Sequence, residues 1–196
     1  MRLGRRTNQK ELTMYDPKQF AIFIGTVLRD TDTYSIQALV QLLGTAAVES
    51  DFGTYLWQKG GGPARGPFQM EPSTARDVWE RRFKKDEVLR YTLANVYGIL
   101  RFGGKYITDL PIHNLAYAVI MARLKYILIP EPFPKDVTDV FAYAMYWKKY
   151  YNTVKGKGSV EKYVAKYGRY VKLSKESLFA LDEQLRDGQG INQIKL

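Results

Sequence analysis

Ala46-Ala47-Val48-Glu49-Ser50-Asp51-Phe52, then a Gly-rich loop, then Gly66-Pro67-Phe68-Gln69-Met70-Glu71-Pro72-Ser73-Thr74-Ala75-Arg76: the reading of this stretch decides the fold. Ile36, Leu39, Val40, Leu43, Ala46 and Ala47 recur at helical spacing and form a core-facing stripe. That helix runs straight into Glu49, off the stripe and in its last turn. A carboxylate there is costly to bury. Two ordinary readings are a salt bridge to one of the many basic residues, or exposure at a fraying helix end. A third is an acid that keeps its proton. Beyond it, Phe52, Tyr55, Leu56 and Trp57 precede Gly60-Gly61-Gly62-Pro63, a strong turn signal. Residues 68–71 are expected to return as a short strand, giving a small hairpin over residues 52–71. Alternation in that strand puts Gln69 and Glu71 on the same side.

Working outward, the remaining pattern is helical. Asp16-Pro17 starts a helix that runs to about Leu28, and Asp32 or Thr33 is placed to cap the next. Gly44 with Ala46-Ala47 leaves room for a close helix neighbour. Pro72-Ser73 opens a helix with Val78 and Trp79. The run Arg81-Arg82-Phe83-Lys84-Lys85 reads as a solvated helix end. Further helices are expected over residues 87–101, 112–128, 137–151 (capped by Asp136), 159–170 and 174–186. Prolines 130, 132 and 134 break the chain after 128, and Asn152 and Gly156 end the 137–151 helix. The fold class is therefore α+β: a mostly helical body with a small β-hairpin lobe. Residues 1–15 form a basic N-terminal arm, 16–187 one domain and 188–196 a loose tail. There is no internal repeat.

Composition narrows the chemistry. The chain has 196 residues, 45% hydrophobic, a net charge of +10, no cysteine and one histidine. Thiolate chemistry and disulfides are excluded. His113 alone makes no His-rich metal site, and its place after Pro111 suits a solvated or capping role. No metal and no cofactor is expected. No run of about eighteen apolar residues spans a membrane. The apolar residues 20–28 follow Lys10, Glu11, Asp16 and Lys18 with no small-residue cleavage site, so no cleavable signal is expected. The positive charge attracts polyanions in general: nucleic acid, anionic lipid or an anionic cell wall. Fifteen tyrosines and three tryptophans supply mainly packing, and such rings also suit sugar faces.

The Glu49-Ser50 helix end, the Gly66-Pro67-Phe68-Gln69 turn and the Pro72-Ser73-Thr74-Ala75 helix start together resemble the lysozyme-like superfamily. The resemblance is in particular to soluble lytic transglycosylases and goose-type lysozymes. Those families carry Glu-Ser, then Gly-Leu-Met-Gln, then often Pro-x-Thr-Ala. Pro67-Phe68 departs from the usual Leu-Met pair. Tyr151-Asn152, with Gly156 and Gly158, loosely resembles the transglycosylase Ala-Tyr-Asn-Ala-Gly motif, but Tyr150 and Val154 stand where that motif has Ala and Gly.

The resemblance implies a peptidoglycan-cleaving muramidase acting on the MurNAc-GlcNAc β-1,4 bond, with Glu49 as general acid. Burial and the negative end of its own helix dipole both raise the pKa of Glu49; basic neighbours lower it. Phe68 and Gln69 are expected to face substrate, the Gln69 amide meeting an N-acetyl or hydroxyl group. The alternative for Gln69 is to bond the hairpin backbone. Ser50 is placed with the substrate-binding residues by the resemblance; its hydroxyl either bonds the glutamate, fixes the local loop, or simply closes the helix. Tyr151 and Tyr146 compete for the tyrosine beside the acid, with Asn152 following. A hydrolase needs a second carboxylate to activate water. Glu71 is that candidate, with Asp51 the other. A lytic transglycosylase lets the sugar's own hydroxyl close a 1,6-anhydro ring.

The partner implied is bacterial peptidoglycan, with other virion proteins if the enzyme rides in a virion; no obligatory nucleic-acid partner is expected. The setting expected is a bacteriophage enzyme, in the virion or the host cell, acting in the periplasm or cell wall, as an endolysin or a virion-borne lysin. The competing class is a non-catalytic lysozyme-fold structural virion protein or basic nucleic-acid-binding module.

Overall fold

A computed structural model of the chain describes residues 15–99, 108–152 and 156–187. Its elements are α1 (Pro17–Asp30), α2 (Ile36–Ser50), α3 (Pro72–Arg81), a 3-10 turn (Phe83–Lys85), α4 (Glu87–Tyr97), α5 (Leu110–His113) and α6 (Leu115–Ile127). After these come α7 (Val140–Trp147), a π-helical turn (Lys148–Asn152), α8 (Val160–Tyr170) and α9 (Lys175–Arg186).

The core helix is α2. Its apolar stripe is buried as expected, but so is nearly all of the opposite face. Such an all-round apolar helix sits inside a bundle rather than on its surface. α1, α6, α7 and α8 surround it. Each large apolar side chain buried in this way is worth about 1.5–3 kcal/mol. Gly44 admits α8: a Cβ there would lie 1.8 Å from the Tyr163 hydroxyl oxygen. One polar cluster inside is paired across helices. Tyr126 of α6 accepts from the Gln41 side-chain amide at 3.2 Å and is hydrogen-bonded to the Thr45 hydroxyl at 2.8 Å.

Helix boundaries follow local chemistry. Asp16 caps α1 by accepting from the amides of Lys18 and Gln19, with Pro17 at the first helical position. The cap of α2 is Ser35, not Asp32 or Thr33. Thr33 is spent closing α1, donating to the Leu28 carbonyl, and Asp32 is left-handed at φ 51°. α7 starts later than expected, capped by Asp139, because Asp136 folds its own turn by accepting from the Thr138 amide. α4 closes on left-handed Gly98, so Gly98 and Ile99 of the expected 87–101 helix are not helical, and residues 100 and 101 lie outside the described residues. Most of the N-terminal arm and the 188–196 tail also lie outside them. Tyr15 is described: it stacks on Phe20 at 4.6 Å and is part of the packed body.

The α+β assignment is corrected. Among the described residues there is no strand, and residues 52–71 hold only two isolated bridges, Trp57 with Arg65 and Arg65 with Met70. The chain here cannot stay extended. Asp51, Phe52 and Gly53 are all left-handed, and so are Gly60, Gly61, Gly66 and Gln69. A ladder needs consecutive extended residues, so the predicted hairpin becomes a looped lobe. Gln69 and Glu71 still line one cleft, but not by strand alternation: Gln69 turns at φ 44° and Glu71 sits at the N-cap of α3. The class is all-α among the described residues, with an irregular loop beside the end of α2.

Candidate active site

α2 ends where the loop begins, and the cleft lies there. Ser50 terminates the helix. It is fully buried, donating to the Ala46 carbonyl at 3.0 Å and accepting from the Gly53 amide at 2.8 Å. Ser50 is thus a helix-closing residue, away from the cleft. Glu49, one residue earlier, lines a cleft of about 830 Å³ between the 52–71 loop, α6, the end of α7 and α8.

The Glu49 carboxylate is recessed there. Trp147 donates its indole Nε1–H to Glu49 Oε1 at 3.0 Å. Burial pushes the carboxyl up to about 7, overcoming the opposite pull of the Trp147 hydrogen bond, Lys125 and Lys162; the Glu71 charge adds to the rise. Neither ordinary reading of a helix-end glutamate applies: Glu49 has no close ion pair among the described residues and is not in a frayed end. Near pH 7 about half of the molecules hold a proton on this group.

The other wall is set by the π turn, a widening that recurs at functional sites. Tyr151 is buried against the cleft and donates its hydroxyl to the Phe68 carbonyl at 2.8 Å, pinning the 66–70 turn to the helical body. Tyr146 points elsewhere, donating to the Glu131 carbonyl at 2.7 Å. The competition between them is resolved: Tyr151 adjoins the Glu49 cleft. Asn152 lines the cleft and accepts from Lys148 at 2.9 Å. Gly158 lets the following loop lie on the Trp147 indole, 2.4 Å from where its Cβ would stand.

Gln69 lines the cleft but works first as a loop brace. Its amide nitrogen donates to the carbonyls of Gly66 at 2.8 Å and Tyr55 at 3.3 Å, which leaves only its Oε1 to accept from a ligand. Phe68 does not face the cleft: it is a core residue at 1% exposure, and only its carbonyl is used, by Tyr151. Its apolar ring gains more from the core than from solvent. Asp51 is committed to ion pairs with Lys166 and, at 3.8 Å, Lys59. Glu71 is exposed on the cleft, and its carboxylate makes no hydrogen bond or close ion pair with any described residue. His113 is exposed at the end of α5, away from the cleft.

No family model matches this chain, and no curated protein or solved structure matches it either. What the site can do therefore rests on its own geometry.

Two residues that sequence reasoning passed over complete that geometry. Trp147 was only one ring among many on the 137–151 helix, and nothing in the sequence marks its N–H as the partner of Glu49. Lys125 carried a signal: with Arg123 it is one of two cations in the otherwise largely apolar helix α6. Its ammonium donates to the Tyr151 carbonyl at 2.8 Å and lies 3.6 Å above the centroid of that ring. Burial pushes it down to about 8, against the pull of Glu49 and Glu71. With Lys59, Lys157, Lys162 and Lys166 it makes the cleft wall basic. No group of acidic and histidine side chains among the described residues is arranged to hold a metal ion. No helix among them is long and apolar enough to cross a membrane.

Proposed function

We propose that the chain is a peptidoglycan-cleaving muramidase of lysozyme-like type. One observation carries the reading: a carboxyl raised to about 7 on the wall of an open cleft, Glu49, with a second, unengaged carboxylate, Glu71, on the same cleft. Glycosidic cleavage needs an acid that is protonated near neutral pH. Glu49 gives its proton to the bridging oxygen as the bond from that oxygen to the anomeric carbon breaks. In the hydrolytic route Glu71 takes a proton from water, whose oxygen bonds to the anomeric carbon. In the lytic route the sugar's own hydroxyl closes on that carbon, and its proton passes to the Glu49 carboxylate. The unengaged Glu71 favours hydrolysis. The alternative, a non-catalytic basic module, accounts for the lysines but gives no role to a proton-holding glutamate among them.

The test is mass spectrometry of the soluble products from purified cell walls. Fragments cut at the β-1,4 bond with reducing ends support the hydrolase. Anhydro-muropeptides as the main species support the transglycosylase. Walls left with intact sugar chains refute the muramidase reading in either form.

The basic cleft adds a prediction. Activity on intact, anionic walls should fall steeply as salt rises from about 0.05 to 0.5 M, across which the screening length shrinks from beyond 10 Å to a few ångströms. Activity on a short, neutral sugar substrate should change far less. Equal responses of the two substrates in a salt series would contradict an electrostatic contribution to wall binding.

A further inference from the structure

On the other side of Tyr126 lies a second pocket, of about 480 Å³, between α6, the start of α2, the 129–135 segment and Tyr146. It shares no lining residue with the Glu49 cleft. Its floor is a ring cluster: Phe133 lies 5.3 Å from Tyr126 and 5.1 Å from Tyr146, centroid to centroid. Both tyrosine hydroxyls are already engaged, Tyr126 with Gln41 and Thr45 and Tyr146 with the Glu131 carbonyl, so the cluster acts as an apolar floor.

Set against this floor is Arg123. Its Nε donates to the Thr33 carbonyl at 2.9 Å, which fixes the guanidinium from behind. Among the described residues its two Nη groups have no hydrogen-bond partner and no carboxylate stands within ion-pair distance. Glu131, the carboxylate among the lining residues, is bonded to the Tyr150 hydroxyl and drawn to Lys149. Burial pushes Arg123 down to about 10, and it stays cationic near neutral pH. The guanidinium lies over the Phe133 ring at 5.3 Å, but a half-buried cation with no counterion among the described residues is still an expensive arrangement. A tether to Thr33 needs one N–H; it does not need the rest of the fork.

We propose that this pocket is a second binding site, for a ligand carrying a carboxylate or phosphate on an apolar body, anchored by Arg123. The two Nη groups present the paired donors that match two oxygens of such a group. Lys135 on the rim adds a second positive charge, and the ring cluster receives the apolar body.

The Arg123 Nε–H, held by Thr33, gives a direct NMR reporter. The ¹⁵N-labelled protein is titrated with N-acetylphenylalanine, its neutral amide, and phenyl phosphate. The two anions should shift this signal saturably, at least one of them binding 10-fold or more tighter than the amide. The tighter one identifies the head group as carboxylate or phosphate. Arg123→Gln, which can keep a donor for Thr33, should weaken anion binding 10-fold or more with an unchanged melting temperature, read from the Tyr126 and Phe133 signals. Arg123→Lys keeps the charge, loses the fork, and should also weaken it; this variant decides the matter if the glutamine variant does not fold. Equal responses to all three probes, shifts that never saturate, or full binding in the folded variants would overturn the proposal. Wall cleavage plays no part in the readout, so this result stands or falls apart from the muramidase reading.

Discussion

Glu49→Gln should abolish wall cleavage, with a loss of about 10²-fold or more, while the protein stays folded. Glutamine keeps the side-chain oxygen that accepts from Trp147 and removes the acidic proton. The stability change has a definite sign. In the folded chain the Glu49 carboxyl is raised from 4.5 to about 7, so between those values the folded state binds more protons than the unfolded one. Wild-type stability tied to this group is therefore fully present below pH 4.5 and is lost as pH rises through 7. Its size is about 3 kcal/mol at most. The glutamine variant carries no such loss. It should be more stable than wild type at pH 8 and close to it at pH 4, as read from urea unfolding at the two pH values. Retained activity in a folded variant would show that another group supplies the proton.

Glu71→Gln should slow cleavage by about 10²-fold with almost no change in stability. The side chain is exposed and braces nothing among the described residues: it neither caps α3 nor forms a close ion pair with a lysine there. Whatever it does must therefore be done to substrate or water, or to Glu49 through its charge. The charge effect is separable. Removing Glu71 takes away an influence that raises Glu49, so the alkaline limb of the pH–rate profile should move to lower pH. Loss of rate at every pH marks loss of water activation. A variant that keeps most of its activity and yields anhydro products would remove Glu71 from the chemistry and leave Glu49 acting with the sugar's own hydroxyl.

The helical body was legible because its signals are local. Asp16-Pro17, the apolar spacing of α2, Pro72 and the prolines after α6 each fix a helix or its end without reference to distant residues. The lobe was misread because glycine and proline say that a chain turns, not whether it pairs between turns. The left-handed Asp51, Phe52 and Gln69 are the reason no ladder forms, and no residue type announced them. The α2 cap was missed for a tertiary reason: Thr33 was taken by α1.

At the site, Glu49 and Glu71 were found as polar residues in telling places. Tyr151 could be separated from Tyr146 only in three dimensions, since both sit on one aromatic run and each hydroxyl chooses a distant carbonyl. Phe68 and Ser50 were assigned to substrate from their places in a motif, yet the core and the helix end claim them. Gln69 shows both roles at once, its nitrogen bracing the loop and its oxygen left over. Lys125 stands out among the overlooked residues, because a cation within an apolar helix needs a reason as much as a buried acid does.

The most direct measurement is the titration of the Glu49 carboxyl, followed by the side-chain ¹³C signal of glutamate-labelled protein and assigned with Glu49→Gln. A midpoint near 7 is predicted, with the Trp147 indole N–H shifting in step because it donates to the same oxygen. A midpoint near the ordinary 4.5 would mean that no proton is held there at neutral pH, and Glu49 would not be the acid.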